Sequence, residues 1–385
     1  MNSSSISLTV IAKNEATRIA AFIAHHLPLV REIIVVDTGS TDGTASIART
    51  AGAKVFFFEW CDDFSAARNE SLRLATSRYA LCIDVDERIS HSSFKALKKA
   101  AQHHRRCYTM PQRNYYSNPQ HVQWMPVPGE FPTEERGQIG YFEAQNTKFF
   151  DLHCGLKFEQ RIHESVLASA KRNHIDISPL NVPIHHYGYV ISEKHNRSRN
   201  LRYTRLLELK YQEHPDDPQT IEEYATQLIQ LGRALDAIPH LEKLDAMNQR
   251  ASCITRARIL LGNLKKGQGN TESADAIFRR AVTEDPGALF AHVQLLKHLA
   301  EEMQIDEMGA LLDTALERFG EHPLLLKAQS RYLIDTRQIH AAATVTRRVA
   351  NLFPHQPEYA QLAEKCEALS LKVKRMETKK NDKEA

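Results

Sequence analysis

Residues 32–44 read EIIVVDTGSTDGT and residues 79–87 read YALCIDVDE, and these two stretches decide the fold. Each begins as a continuous apolar run and ends in carboxylates, at Asp37 in the first stretch and at Asp84 and Asp86 in the second. A strand that is apolar on both faces is typical of a parallel sheet covered by helices. Because ligands of such sheets bind beyond the carboxyl ends of the strands, we expect these carboxylates to face a substrate.

The segments around these stretches continue the same alternation. Apolar runs at residues 7–12 and 54–58 alternate with amphipathic stretches at about 16–28, 44–50 and 65–75. Short strands separated by helical stretches indicate an α/β domain of the doubly wound kind, with a mostly parallel sheet. We therefore predict that fold class for the first half of the chain.

From about Asn196 the pattern changes to paired amphipathic helices. The markers Ala281, Ala315 and Val349 lie in similar apolar segments, and each is separated from the next by 34 residues. A 34-residue period of paired helices is the tetratricopeptide (TPR) spacing, and residues 224–244 look like an earlier copy. The second half is predicted to be an all-α TPR-like repeat domain. An unrelated helical bundle is the alternative, because the repeats are degenerate.

Composition narrows the class of protein. The chain has 385 residues and a formal net charge of +3, from 50 Lys and Arg against 47 Asp and Glu. Such a balance excludes a protein that binds nucleic acid or an anionic membrane by bulk electrostatics. No stretch approaches the ~18 consecutive apolar residues of a membrane span. The N-terminus lacks a secretory pattern and the six cysteines are widely spaced, so we expect a cytoplasmic protein with reduced, structural thiols.

The acidic strand ends are the first candidate site. Asp84 and Asp86, one residue apart, can hold a hard divalent cation whose shell is completed by water and phosphate oxygens, although a solvated loop is the alternative. Asp37 can accept hydrogen bonds from the base or ribose of a nucleotide, whereas Ser40 or Asp42 could simply cap the next helix. Neither stretch is a G-x-G-x-x-G or P-loop motif, which disfavours a dinucleotide oxidoreductase or an ATPase.

Four stretches, in order, resemble the family 2 glycosyltransferases with a GT-A fold. They are residues 10–15 (VIAKNE), 34–44 (IVVDTGSTDGT), 62–69 (DDFSAARN) and 84–87 (DVDE). Their combination with TPR-like repeats resembles a bacterial subgroup that includes peptide-modifying members, such as the S-glycosyltransferases of glycosylated bacteriocins. The resemblance implies a nucleotide-sugar part at residues 6–100 and an acceptor and metal part at 101–195. The helical period places the repeats at 196–370, and the polar composition of residues 371–385 predicts a disordered tail.

The resemblance also implies residue roles. The residues it places around the nucleotide are Ala12, Asn14, Glu15, Asp37, Arg68 and Asp84. Asp37 would contact the uracil or ribose, and Arg68 the base or diphosphate. Asp84 would contact the ribose or metal, and Asp86 would ligate a Mn²⁺ or Mg²⁺ ion that neutralises the departing diphosphate. The alternatives are a surface cation for Arg68 and an ordinary acid at a helix N-terminus for Glu15.

Two later stretches, residues 161–164 (RIHE) and 185–189 (HHYGY), resemble the downstream motifs of the same subgroup. His186, or in second place His163, could add an imidazole ligand to the metal site. Glu164 is a candidate general base, because inversion at the anomeric carbon requires removal of the acceptor proton opposite the leaving group. A purely structural role is the alternative for each histidine.

Residues 111–150 match no motif, and we expect an acceptor loop or lid there. Its Trp124 could stack on a sugar face, although local packing is the favoured interpretation.

The sequence therefore predicts a metal-dependent, inverting glycosyltransferase that moves a hexose from a UDP-sugar to a peptide or protein side chain held by the repeats. One alternative acceptor is a cell-envelope saccharide or lipid-linked glycan, reached by peripheral contact with the inner face of the membrane. Another alternative is a repeat scaffold with an inactive transferase fold. The donor sugar, and whether the chain forms a homo-oligomer, stay open.

Overall fold

The structure, a computed structural model, describes residues 5–117, 124–188, 196–247, 251–354 and 356–384. The chain divides into two compact units, Met1–Lys210 and Tyr211–Ala385. Helix α7 (Asn196–Glu213) crosses this division, so its first part belongs to the N-terminal unit rather than to the repeats that the sequence places from residue 196.

The N-terminal unit begins with the predicted alternation of strands and helices. Its elements before α7 are β1 (Ile6–Ala12), α1 (Ile19–His26), β2 (Glu32–Asp37), α2 (Thr44–Thr50), β3 (Lys54–Phe57), α3 (Phe64–Leu74), β4 (Tyr79–Cys82), β5 (Glu87–Ile89), α4 (Phe94–Ala100), β6 (Arg106–Tyr115), β7 (Met125–Pro126), α5 (Pro132–Glu135), β8 (Gly140–Asp151), a 3₁₀ turn (Leu152–Cys154), α6 (Leu167–Arg172), β9 (Asp176–Pro179) and β10 (Ile184–His186).

The strands form one mixed sheet in the order β3-β2-β1-β4-β8-β6-β10-β5, with β7 and β9 as side strands. The first four are parallel, as predicted, and all six residues of β2 are buried. The sheet then reverses direction at β8, which is antiparallel to both β4 and β6. An α/β sheet with helices is therefore confirmed, but its second half is mixed rather than mostly parallel.

Strands β6 and β8 occupy much of the segment that was expected to be a loop or lid. They pair from Cys107 with Phe150 to Tyr115 with Tyr141. The loop prediction is therefore wrong at residues 111–115 and 140–150, because polar residues in these long strands hide the apolar alternation. Residues 118–123 of that segment lie outside the described residues.

The register of β10 positions a histidine at the edge of the sheet. His186 lies opposite Asn114 of parallel strand β6 and opposite Glu87 of antiparallel strand β5. Since β6 runs parallel to β10, Asn114 and His186 lie near the carboxyl ends of their strands. The following Tyr187 donates its backbone N–H to the carbonyl of Asp86 over 3.0 Å, which ties this edge to the acidic stretch.

The C-terminal unit consists of helices. Beyond the end of α7 they are α8 (Pro218–Gln230), α9 (Ala234–Asp245), α10 (Ser252–Gly267), α11 (Thr271–Glu284), α12 (Leu289–Glu301), α13 (Ile305–Phe319), α14 (Pro323–Asp335), α15 (Ile339–Leu352) and α16 (Pro357–Glu384).

These helices confirm the repeat pattern. Ala281, Ala315 and Val349 lie at corresponding positions of α11, α13 and α15, and each is at most 1% exposed. The predicted earlier copy is the pair α8 and α9, and Gly232 between them adopts a φ of 76° that favours glycine. The TPR-like period thus reflects small buried residues where consecutive helices pack.

Helix α16 continues to Glu384, so the structure has a helix where the sequence predicts a disordered tail. Residues 371–384 contain neither proline nor glycine and are rich in Lys, Glu and other good helix formers. A polar segment of that composition can extend an existing helix without packing of its own.

Among the described residues, no helix combines the length and apolar character needed to cross a bilayer. All six cysteines are described and unpaired, and five of them are buried, consistent with structural thiols.

Candidate active site

A cleft of about 640 Å³ lies at the carboxyl edge of the sheet in the N-terminal unit. Nine of the ten residues predicted for the site line it: Ala12, Asn14, Glu15, Arg68, Asp84, Asp86, His163, Glu164 and His186. The tenth, Asp37, is buried next to Thr38, which lines the same cleft. The fold therefore brings together residues from six separate stretches of the sequence.

The turn after β1 is held against the loop after β2. Asn14, at φ 57°, donates its backbone N–H to Ser40 Oγ over 2.9 Å and accepts the N–H of Thr41 on its Oδ1 over 2.9 Å. The N–H of Glu15 donates to Thr44 Oγ1 over 2.7 Å. The serine and threonines of the second motif thus shape one wall of the cleft.

Asp37 is the last residue of β2, and only one of its two carboxylate oxygens has a hydrogen-bond partner among the described residues. Its side chain is buried, and Oδ2 accepts the N–H of Ser40 over 3.2 Å. Its Oδ1 is also buried but has no hydrogen-bond partner among the described residues. Because buried polar atoms are normally paired, an unpaired carboxylate oxygen beside a cleft suits a ligand that donates a hydrogen bond.

Arg68 is the centre of a buried charge network. It is 4% exposed and forms ion pairs with Asp84 and with Glu164, whose Oε1 accepts from Nε over 3.0 Å. Lys148 contacts the other oxygen of Asp84 at 3.2 Å. Although burial opposes the shift, Arg68 and Lys148 hold the pKa of Asp84 well below its ordinary value. Asp84 is therefore an anion with both oxygens engaged.

Glu87 and Lys148 extend this network, and sequence reasoning assigned neither of them a role. Glu87 is 1% exposed, accepts the N–H of Asp84 over 2.7 Å and contacts Lys148 Nζ at 3.1 Å. Burial raises its pKa even though Lys148 acts in the opposite direction. Glu87 could have been noticed as the last residue of the DVDE stretch, whereas Lys148 lies in β8 without any motif.

Asp86 and His186 face each other at the edge of the sheet. His186 Nε2 lies 3.6 Å from Asp86 Oδ2. Burial acts to raise the pKa of Asp86, but the contact with His186 lowers it overall; for His186 burial acts to lower the pKa and Asp86 raises it overall. This imidazole and carboxylate belong to the two motifs that the sequence related to metal binding.

The glycine of the HHYGY stretch is Gly188, which lies beside His186 and Asp86 where a side chain would not fit. A Cβ atom at this position would lie 2.5 Å from His186 Nε2 and 3.0 Å from Asp86 Oδ2. Any side chain would therefore intrude on the space between the imidazole and the carboxylate. The final residue of the stretch, Tyr189, lies outside the described residues.

The donor set fits a divalent cation with few protein ligands. Asp86 offers a carboxylate, which suits Mg²⁺ or Mn²⁺, and His186 offers an imidazole, a common ligand of transition-metal ions. Within the described ranges there is no group of three or more His, Cys, Asp or Glu side chains arranged to hold a metal. Asp84 is less suited to bind the metal than Asp86, because Arg68 and Lys148 already contact its two carboxylate oxygens. His163 lines the cleft at φ 55°, but the imidazole beside Asp86 is that of His186.

An aromatic wall completes the cleft and was missed by the sequence analysis. Trp60 and Phe64 contact each other with ring centroids 4.8 Å apart, and Tyr203 of α7 lies 6.2 Å from Phe64. Arg205 of the same helix contacts Asp62 at 3.2 Å. Sequence reasoning missed Tyr203, and Arg202 beside it, because it placed the start of the repeats at residue 196. Arg18, paired with Glu15, also lines the cleft.

Trp124 packs locally, as the favoured interpretation had it. It is 1% exposed, its Nε1 donates to the carbonyl of Tyr116 over 2.8 Å, and a Cβ at Gly140 would collide with its ring. A buried indole of this kind is not available to stack on a sugar.

Comparison with known proteins agrees with this geometry. Residues 7–166 match the model of the family described as "Glycosyl transferase family 2". The TPR repeat-containing protein Synpcc7942_0270 of Synechococcus elongatus is 28% identical over 83% of this chain and 76% of its own length. The SPbeta prophage-derived glycosyltransferase SunS of Bacillus subtilis is 26% identical over 62% of this chain and 52% of its own.

Among solved structures, mannosyl-3-phosphoglycerate synthase from Rubrobacter xylanophilus is 16% identical over 55% of this chain and 74% of its own, with a TM-score of 0.35. The family match and the sequence relatives together support a glycosyltransferase. Residues 7–166 thus match a family 2 glycosyltransferase domain, and TPR-like helical repeats follow them.

Proposed function

We propose that the chain transfers a hexose from a UDP-sugar to a side chain of a peptide or protein, with inversion at the anomeric carbon and with Mn²⁺ or Mg²⁺ as cofactor. The observation that carries this proposal is the pair formed by Asp86 and His186, 3.6 Å apart in a cleft with the other motif residues. Gly188 leaves the space beside that pair open.

The nucleotide is proposed to bind at the ends of β1 and β2. The unpaired Oδ1 of Asp37 can accept the N3–H of uracil or a ribose hydroxyl, which fits its burial without a partner. Ala12, Asn14 and Glu15 then form the adjoining wall, in the shape imposed by the hydrogen bonds to the β2 loop.

The diphosphate is proposed to lie toward the acidic stretch. Asp86 and His186 would hold the cation, which when bound neutralises the negative charge that develops on the UDP leaving group. Arg68 Nη1 is buried without a hydrogen-bond partner among the described residues and is available to a phosphate oxygen. Asp84 holds Arg68 in place by an ion pair and would also lie near the ribose.

Glu164 is proposed as the base. Its Oε1 accepts from Arg68, which fixes the orientation of the carboxylate and leaves Oε2 for the acceptor proton. In the reaction the acceptor atom attacks the anomeric carbon and its proton passes to Glu164. The bond between that carbon and the UDP oxygen breaks, and UDP leaves with the electron pair.

A polypeptide acceptor is favoured by the second unit. Stacked helical repeats form extended surfaces that suit an extended peptide. The intact carboxylates Asp37, Asp84 and Asp86 argue against an inactive scaffold.

The test is incubation of the purified protein with Mn²⁺ and a panel of UDP-sugars, with and without candidate peptides, while UDP release is measured. We expect release from one UDP-sugar, accelerated by peptide, and a loss of at least about 100-fold in Asp86→Ala. Asp313→Ala, an exposed carboxylate of the repeats, is the matched control and should keep full activity. Absence of UDP-sugar binding and turnover in the unaltered protein would refute the proposal, and acceleration by saccharides alone would refute the peptide acceptor.

A further inference from the structure

A chain of side-chain amides lies behind His186. Asn114 of β6 is 4% exposed, and its Oδ1 lies 2.7 Å from His186 Nδ1. The register of the two parallel strands sets the residues opposite each other. The contact is therefore fixed by the sheet rather than by a loose loop.

The hydrogen bonds of Asn114 determine which of its atoms faces the imidazole. Its Nδ2 donates to the backbone carbonyls of Gln112, over 3.3 Å, and Phe142, over 3.4 Å. Its Oδ1 also accepts from Gln112 Nε2 over 3.1 Å. Since the amide nitrogen is used by two carbonyls, the oxygen points to the ring, and an oxygen can only accept.

The amide chain continues one residue further. Asn146 of β8 donates from Nδ2 to Gln112 Oε1, which leaves the Nε2 of Gln112 directed at Asn114. The three amides thus orient one another in a single direction. Each fixes the next, and the last fixes the imidazole.

Neutral His186 is then expected to carry its proton on Nδ1 and to donate it to Asn114 Oδ1 at 2.7 Å, because the acceptor that faces Nε2, Asp86 Oδ2, is farther away at 3.6 Å. A neutral imidazole with its proton on Nδ1 carries its lone pair on Nε2. Nε2 is the atom that faces Asp86 at 3.6 Å and that a Cβ of residue 188 would cover.

We propose that Asn114 is a positioning residue that holds His186 in the Nδ1–H tautomer, with Nε2 aimed at a divalent cation beside Asp86. This inference rests on the proposed function and adds to it the group that prepares the imidazole. Partners of this kind fix the tautomer and ring orientation of metal-binding histidines, and their loss weakens metal affinity by roughly 10–100-fold.

The experiment measures the Kd of the full-length protein for Mn²⁺ in the presence of UDP, by isothermal titration calorimetry. Asn114→Leu keeps the approximate volume and removes the acceptor, so its Kd should rise by roughly 10–100-fold. Asn114→Asp restores an acceptor for Nδ1–H and should recover most of the affinity. Gln145→Leu removes an exposed amide from the neighbouring strand β8 and should leave the Kd unchanged.

A second measurement needs no variant. ¹⁵N NMR of the unaltered, metal-free protein at a pH where His186 is neutral should show Nδ1 protonated and Nε2 bare. The opposite tautomer, or an Asn114→Leu protein that folds and binds Mn²⁺ like the unaltered one, would overturn the inference while leaving the proposed function intact. Failure of the unaltered protein to bind UDP at all would instead count against the proposed function.

Discussion

Two arginines, one in each unit, are similarly buried and similarly paired with carboxylates, but only one of them lies at the candidate active site. Arg68 is 4% exposed and bridges Asp84 and Glu164 in the N-terminal unit. Arg258 is 2% exposed and bridges Asp245 at 2.8 Å and Glu284 at 2.7 Å in the C-terminal unit. By burial and ion pairing alone the two residues cannot be told apart.

The difference lies in what each arginine joins. Arg258 belongs to α10, and its partners end the helices α9 and α11, so the ion pairs join three consecutive helices of the repeats. Arg68 lines the cleft, and its Nη1 has no hydrogen-bond partner among the described residues. A buried ion pair is thus weak support for a functional site, whereas an unpaired donor beside a cavity is much stronger support.

The largest effect is expected from Arg68→Met. The change leaves Glu164 without its partner and removes the donor proposed for the diphosphate, so stability should fall by about 3 kcal/mol. UDP affinity should fall at least about 10-fold, because hydrogen bonds to charged groups contribute about 1.5–3 kcal/mol. Denaturant unfolding and calorimetric titration with UDP measure the two effects.

Arg258→Met is the matched variant in the repeats. Stability should again fall by about 3 kcal/mol, because Glu284 loses its partner and Asp245 keeps only Arg280. UDP affinity should not change at temperatures where the protein is folded. A loss of UDP affinity equal to that of Arg68→Met would end the distinction between the two arginines.

A third buried charged residue, Glu32, begins β2 and so lies at the amino end of that strand, away from the candidate site. Burial acts to raise its pKa, but bonds from Lys54, Ser7 and Thr76 lower the pKa from 4.5 to about 2. Because the pKa is lower in the folded state, the ionised carboxylate stabilises the fold fully above pH 4.5 and loses this effect as the pH falls to about 2.

Glu32→Gln should therefore be less stable than the unaltered protein by on the order of 3 kcal/mol at pH 7. The difference should shrink below pH 4.5 and disappear near pH 2, as followed by urea unfolding at a series of pH values. UDP affinity at pH 7 should be unchanged. A difference in stability that stays constant with pH would show that Glu32 acts through shape rather than charge.

Gly188→Ala probes the space between the imidazole and the carboxylate. Its Cβ would lie 2.5 Å from His186 Nε2, so Mn²⁺ affinity should fall roughly 10-fold, a change of about 1.4 kcal/mol. UDP binding without metal should be retained. Gly267→Ala is the control, since its Cβ would meet nothing within 4 Å at the end of α10. Equal Mn²⁺ affinity in both variants would argue against a cation beside Asp86.

The smallest effect is expected for an ion pair of the repeats in which the arginine is exposed and only its carboxylate partner is largely buried. Arg331 pairs with Asp335 one turn later in α14, and its side chain is 58% exposed. Arg331→Ala should cost less than about 0.5 kcal/mol and should leave UDP affinity unchanged, because such pairs are screened by water and salt. Thermal unfolding at two salt concentrations measures it, and a loss near that of Arg258→Met would contradict the role given to burial.

Much of the fold could be read from local sequence, because its signals are local. The apolar runs of β1, β2 and β4 and the period of the buried residues Ala281, Ala315 and Val349 are visible in single segments. The reversal at β8 was not visible, since strand direction depends on pairing with β4 and β6, which are distant in sequence.

The residues of the candidate site also fall into two groups, those visible in local motifs and those that only the pairing of strands reveals. Motif residues such as Asp86 and His186 could be proposed from spacing, and the structure brings them together. Lys148 and Asn114 could not, because a lysine or asparagine within a strand resembles a solvent-facing residue until the neighbouring strands are known. Their importance comes from partners 64 and 72 positions away in the chain.

The position of α7 has a practical consequence for anyone who shortens this chain. A protein that ended at residue 195, where the sequence pattern changes, would lack Tyr203 and Arg205, which contact Phe64 and Asp62. It would also lose Lys210, whose ammonium group donates to the carbonyl of Ile162, two residues before Glu164. The smallest active fragment should therefore include all of α7, and a catalytic domain cut at the visible change in sequence would be missing a wall of its own cleft.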